Sequence, residues 1–245
     1  MNRLSLILTL AMAAILPVVA PAQQSKPGDP AALDAVLKKM DAVAANFSTA
    51  QADFEWVTYQ KVIDEVVDVE RGVIYYRKSN KQIEMMAEVK RAGTSESSMK
   101  SEPKFVLLSG GKIRLYQPKM DQITEFDLGK NQTEFESYIV LGFGASGEDL
   151  QKNFEVKYAG PETINGVNTA KLQLVPKSAK VKNTYSQILL WIDLERGVSV
   201  QQQLFQPQGD YRLAKYSQIK LHEKVSDDVF KLKTTGKTQT VTPHG

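Results

Sequence analysis

Phe105-Val-Leu-Leu-Ser-Gly-Gly-Lys-Ile-Arg-Leu-Tyr-Gln117 decides how this chain folds. Two short apolar and aromatic runs, 103–109 and 112–117, flank Ser109-Gly110-Gly111, a spacing that fits a tight hairpin. Strands joined this closely run antiparallel, because parallel neighbours need a crossover of a dozen residues or more. The pattern repeats outward. Upstream, Ala52, Phe54, Trp56 and Thr58 alternate with Asp53, Glu55, Val57 and Tyr59, and strands follow over 66–78 and 82–90. Arg91 to Glu102 is polar and reads as a long loop. Downstream, 121–127 is a further strand, and Asn165-Gly166 makes a hairpin of 154–163 and 167–176. Strands over 185–193, 198–206 and 210–221 are separated by turns at Glu195-Arg196-Gly197 and Gln208-Gly209-Asp210. Asp227 to Phe230 reads as a short helical turn before a last strand piece.

Helices flank these strands. Leu33, Val36, Leu37, Met40, Val43, Ala44 and Phe47 form one stripe at helical spacing, with Asp29 placed to cap and Pro30 in the first turn. This predicts a helix over 31–46. Phe135, Tyr138, Ile139 and Leu141 share a face over 131–141. Gly142 to Gly147 breaks that pattern as a mobile linker, and Ser146 opens another short helix. One α+β domain with an antiparallel sheet follows.

The N-terminus reads as an export signal. Arg3, an apolar run from Leu4 to Ala20 and the triplet Ala20-Pro21-Ala22 have the layout of a secretory signal peptide over 1–22, cut after Ala22. Residues 23–30 are a flexible leader, 31–237 the domain and 238–245 a polar tail. The sequence holds no cysteine. Lipid anchoring through an N-terminal cysteine, disulfides and thiol chemistry are therefore excluded, and the core alone must stabilise the exported protein. Basic and acidic side chains number 31 and 28 and are interspersed, which argues against a nucleic-acid partner.

Motifs for chemistry fail in context. Gly142-Phe-Gly-Ala-Ser-Gly147 matches a dinucleotide fingerprint, but a helical pattern precedes it and a hairpin follows it. Gly110-Gly111-Lys112 lacks the rest of a phosphate loop. His222 and His244 are the two histidines, and no catalytic or metal-ligating set is assigned. Asp64, Glu65, Asp68 and Glu70 read as a solvated strand face among valines. The remaining signal is apolar. Val73-Ile-Tyr-Tyr76, Phe105-Val-Leu-Leu108 and Ile188-Leu-Leu-Trp-Ile192 are apolar at consecutive positions, so both sheet faces are covered. Either helices and a curled sheet fill that space, or a concave sheet lines a ligand cavity, with Met85 and Met86 as adaptable walls.

Phe47-Ser-Thr-Ala-Gln-Ala-Asp-Phe54, Gly72-Val-Ile-Tyr-Tyr-Arg77, Leu107 to Pro118, Leu172-Gln-Leu-Val-Pro-Lys177, and Leu190-Trp-Ile-Asp193 with Val200-Gln-Gln-Gln203 occur in an informative order. In that order they resemble the outer-membrane lipoprotein carrier (LolA-like) family over about 31–235. The resemblance implies an incompletely closed antiparallel barrel of about 10–11 strands under a lid of short helices. It also implies a monomeric periplasmic carrier that takes acylated lipoproteins or lipids from an inner-membrane transporter to an outer-membrane acceptor, with only transient membrane contact and no cofactor. Family members tether the lid with a basic residue near 78–85, where this chain offers Lys81. Strand alternation selects Phe54, Trp56, Ile74, Tyr76, Met85, Leu107, Leu115 and Trp191 as cavity walls. Phe135, Ile139 and Phe143 face them from the lid, and Gly142, Gly144 and Gly147 let it open. A sensor or adaptor on the same scaffold and a hydrolase using scattered carboxylates are the competing readings.

Overall fold

The computed structural model describes residues 25–79, 82–129 and 141–243. The signal over 1–22, Lys81 and the segment holding Phe135 and Ile139 therefore lie outside the described residues. Helix α1 (Pro30–Asn46) begins as the sequence predicts: the Asp29 carboxylate accepts from the Ala31 and Ala32 amides at 2.9 and 3.2 Å. Its buried stripe is Val36, Leu37 and Met40.

Twelve strands form one sheet: β1 (Thr49–Gln60), β2 (Glu65–Ser79), β3 (Gln82–Gly93), β4 (Lys100–Ser109), β5 (Lys112–Gln117), β6 (Gln122–Asp127), β7 (Phe154–Ile164), β8 (Val167–Pro176), β9 (Gln187–Asp193), β10 (Ser199–Phe205), β11 (Tyr211–Leu221) and β12 (Gln239–Val241). Their order is β12-β6-β5-β4-β3-β2-β1-β11-β10-β9-β8-β7. All neighbours are antiparallel except β12 and β6. The outer strands β12 and β7 do not pair with each other, so the curled sheet is an incompletely closed barrel. Among the described residues, two further helices, α2 (Gly147–Asn153) and α3 (Ala179–Lys182), and short 3-10 turns make up the rest of the regular structure.

Two boundaries differ from the sequence reading. Both ends of the polar stretch 91–102 are strand, at 91–93 and 100–102, because a bulge between Val89 and Arg91 carries pairing on to Ala92 and Lys100. The Ser98 hydroxyl then closes the hairpin by accepting from the Thr94 and Ser95 amides, both at 2.9 Å. The last strand lies inside the polar tail, at β12. Its polar side chains face solvent, and only its backbone pairing with β6 defines it.

The register sets out the inner face row by row. Arg212, Thr58 and Asp68 lie opposite one another; Ala214, Trp56 and Glu70 form the next row; Tyr216, Phe54, Gly72, Val89 and Lys104 the next. Below them come Ile74, Ala87, Val106 and Leu115, then Tyr76, Met85, Leu108 and Ile113. The outer face is covered as well. The segment after β11 crosses it, setting Phe230 against Met86 and Leu107 with the Arg77 guanidinium 4.3 Å from the Phe230 ring centre. This explains why Phe105 to Leu108 is apolar at every position.

Candidate functional site

One end of the barrel is solid. There α1 lays Val36, Leu37 and Met40 on Leu150, Phe154 and the inner residues Leu172, Leu174, Ile188 and Leu190. The glycine loop after 141 belongs to this solid end. Phe143 is fully buried, stacked on Tyr76 at 5.0 Å and edge-on to Tyr216 at 4.9 Å. Gly142 and Gly144 both have φ near +85°, and a Cβ would sit 2.2 Å from Ser199 Cβ and 2.6 Å from the Phe47 ring. The Ser199 amide donates to the Gly142 carbonyl at 2.8 Å, and the Gln202 amide donates to that of Leu141. The expected mobile linker is a buried plug at this point, because only glycine lets the backbone approach so closely.

Above Phe143 lies a cavity of about 560 Å³, within the range of small-ligand sites. Trp56, Ile74, Tyr76, Met85 and Leu115, five of the eight expected wall residues, line it. Phe54 lies behind the wall, stacked on Trp56 at 4.2 Å. Leu107 and Trp191 are corrections. Leu107 points to the outer face with Met86 and Phe230, while its neighbours Val106 and Leu108 face inward. Trp191 also points outward, under the Lys171 ammonium at 4.7 Å, while Ile188, Leu190 and Ile192 fill the core. A one-residue slip exchanges faces, and in these runs both faces are apolar.

The same alternation reveals what the sequence reading missed. Continuing the inner series of β2 past Gly72 brings Glu70 and Asp68 inside, so the acidic cluster is not wholly a solvated face. Glu70 is 4% exposed and forms an ion pair with the Lys104 ammonium. Burial and then the Glu70 charge push the Asp68 carboxyl above its ordinary range, opposed by Lys104 and Arg212. Arg212 and Lys104 both line the cavity. From the β8–β9 connection, Val181, Thr184 and Tyr185 close another side. At the boundary with the plug, burial pushes the Tyr216 hydroxyl up to about 12, with the Trp56 indole and Tyr76 as its partners. Burial likewise raises Tyr76.

His222 is exposed at the end of β11, 3.4 Å from the Ser48 hydroxyl and away from the cavity. Among the described residues, no group of three His, Asp or Glu side chains is placed to hold a metal ion. No described helix is long and apolar enough to cross a membrane.

The chain is similar in structure to an uncharacterized conserved protein from Thermus thermophilus, with a TM-score of 0.52 and 10% identity over 86% of this chain and 99% of that one. It is similar to MucB with a TM-score of 0.50 and 11% identity over 82% of this chain, and it spans 63% of MucB. A looser superposition, with a TM-score of 0.39 and 14% identity over 82% of this chain and 97% of the other, relates it to a LolA superfamily protein from Nitrosomonas europaea. The first two likenesses concern the fold alone. No curated protein matches the sequence. A family model described as "-like: Uncharacterized protein" matches residues 104–242, from β4 to just past β12. With more than half of its length matched, the chain belongs to that family.

Proposed function

We propose that this protein is a non-enzymatic carrier that shields the acyl chains of lipids or lipoproteins in the barrel cavity. The cavity itself carries the proposal: Trp56, Ile74, Tyr76, Met85, Val106, Ile113 and Leu115 present apolar walls around about 560 Å³. Burying an acyl chain gains about 0.8 kcal/mol per methylene, so a chain of ordinary length is driven into such walls from water. The solid end supports this role by holding the barrel's shape without occupying the space above Phe143.

The export signal expected over 1–22 sets the work in the periplasm, where a lipid leaving one membrane for another must be kept from water. Acyl cargo would come from an inner-membrane transporter and pass to an outer-membrane acceptor. The experiment is native mass spectrometry of the protein purified gently from an exporting Gram-negative host, with depletion of the protein in cells. A carrier retains lipid or lipoprotein at one per chain, and its loss strands lipoproteins at the inner membrane. Absence of bound lipid together with no saturable binding of a fluorescent fatty acid contradicts the reading. Lipid binding with undisturbed lipoprotein sorting favours a sensor on the same scaffold.

A further inference from the structure

The cavity is not uniformly apolar. Along the inner face its rows change from Tyr76, Met85 and Ile113 beside the plug to Glu70, Lys104 and Arg212 at the opposite end. A cavity meant for hydrocarbon alone has no use for these groups, because a buried charge is costly unless something pairs with it. Glu70 is nine-tenths buried or more and is matched by Lys104. Arg212 is different: among the described residues no carboxylate lies within ion-pair reach of its guanidinium, although its charge is felt by Asp68. It is an exposed fork of donors at the rim of a hydrophobic cavity.

We propose that this charged end is a headgroup site, with Arg212 and Lys104 binding the acidic group, carboxylate or phosphate, of a lipid whose chain lies along Trp56, Ile74 and Leu115. The proposal rests on the carrier reading and narrows its cargo to anionic amphiphiles. The geometry gives each part of such a molecule a counterpart. Trp56 sits one row below Arg212 and one strand from it, so a chain lying on the Trp56 ring places its head beside the guanidinium. Lys104 contributes a second cation from the facing side while Glu70 holds it in position. A guanidinium takes a carboxylate or a phosphate in a bidentate contact, and such charge-assisted bonds are stronger than neutral ones.

The test uses the full chain and three single-chain ligands of equal length: dodecanoate, dodecyl phosphate and dodecanol. Each competes with 1-aminoanthracene at low ionic strength. The acids should bind about tenfold tighter than the alcohol, the scale of a charge-assisted contact. Arg212→Gln should remove most of that advantage while leaving dodecanol within about twofold, and added salt should narrow the same gap. The acid that keeps the larger advantage identifies the source of the headgroup. The double variant Glu70→Gln/Lys104→Gln removes the second cation without leaving a buried charge unpaired, and it too should reduce the acid preference. Equal affinity for all three ligands overturns the headgroup site and leaves the carrier reading intact. So does an acid preference that survives both variants, since the preference then arises elsewhere. Failure of the wild-type chain to bind any of the three overturns the carrier reading itself.

Discussion

The two ends of this barrel are built from one sheet and do opposite things. At the solid end, inward residues such as Leu172, Leu174, Ile188 and Leu190 are completely buried, packed in one cluster with residues of α1 and α2. At the other end, Trp56, Ile113, Leu115 and Phe126 keep part of their surface against a cavity. The strand period is the same in both. What differs is what comes down onto the sheet: a helix and a glycine-backed phenylalanine at one end, charged side chains at the other. Stability and binding are therefore separated within the sheet, and each can be perturbed without the other.

The largest expected effect is at the plug. Phe143→Ala removes a fully buried ring and two aromatic contacts, and should lower the unfolding free energy by about 3–5 kcal/mol in urea titrations. If it costs no more than truncation of a cavity residue, the two ends do not differ as described. Gly142→Ala comes next. The left-handed backbone alone should cost about 1–3 kcal/mol, and contact with Ser199 adds to it.

The boundary between the two ends has a pH signature. Tyr76 and Tyr216 hold their protons in the folded state to higher pH than the unfolded chain does, where tyrosine releases its proton near 10. Stability from these groups is complete below pH 10 and declines from there toward about 12, the value at which Tyr216 titrates in the folded chain. Thermal unfolding midpoints across that window should fall, and Tyr216→Phe should flatten the fall. The smallest effect is at the cavity wall. Leu115→Ala leaves space next to space already present, so it should cost about 1 kcal/mol or less in stability while weakening fatty-acid binding several-fold.

The two ends also differ in how far the sequence discloses them. Helix α1 was readable from its stripe and Asp29 cap, and the Gly110-Gly111 hairpin from its two-residue turn, because each signal is local. The inner series of β1, Phe54 and Trp56, was readable because acidic residues alternate with it. Leu107 and Trp191 were not, since covering both faces of a strand erases the alternation that fixes register. Glu70 and Arg212 were hidden for another reason. Charged residues on a strand normally mark the wet face, and only pairing across three strands, β2, β1 and β11, shows that these two reach a common cavity. The plug was hidden because a run of glycines reads alike whether it bends freely or is pressed against a neighbour.

The placement of the two tryptophans allows the central claim to be tested directly. Trp56 lines the cavity and Trp191 lies on the outer face, and the sequence has no others. Fatty acid brominated along its chain quenches indole fluorescence only at close contact. Titrated into Trp191→Phe, which keeps Trp56, it should quench saturably; titrated into Trp56→Phe, which keeps Trp191, it should leave the emission unchanged. Equal quenching of both tryptophans, or quenching of Trp191 alone, would contradict an acyl chain in the barrel.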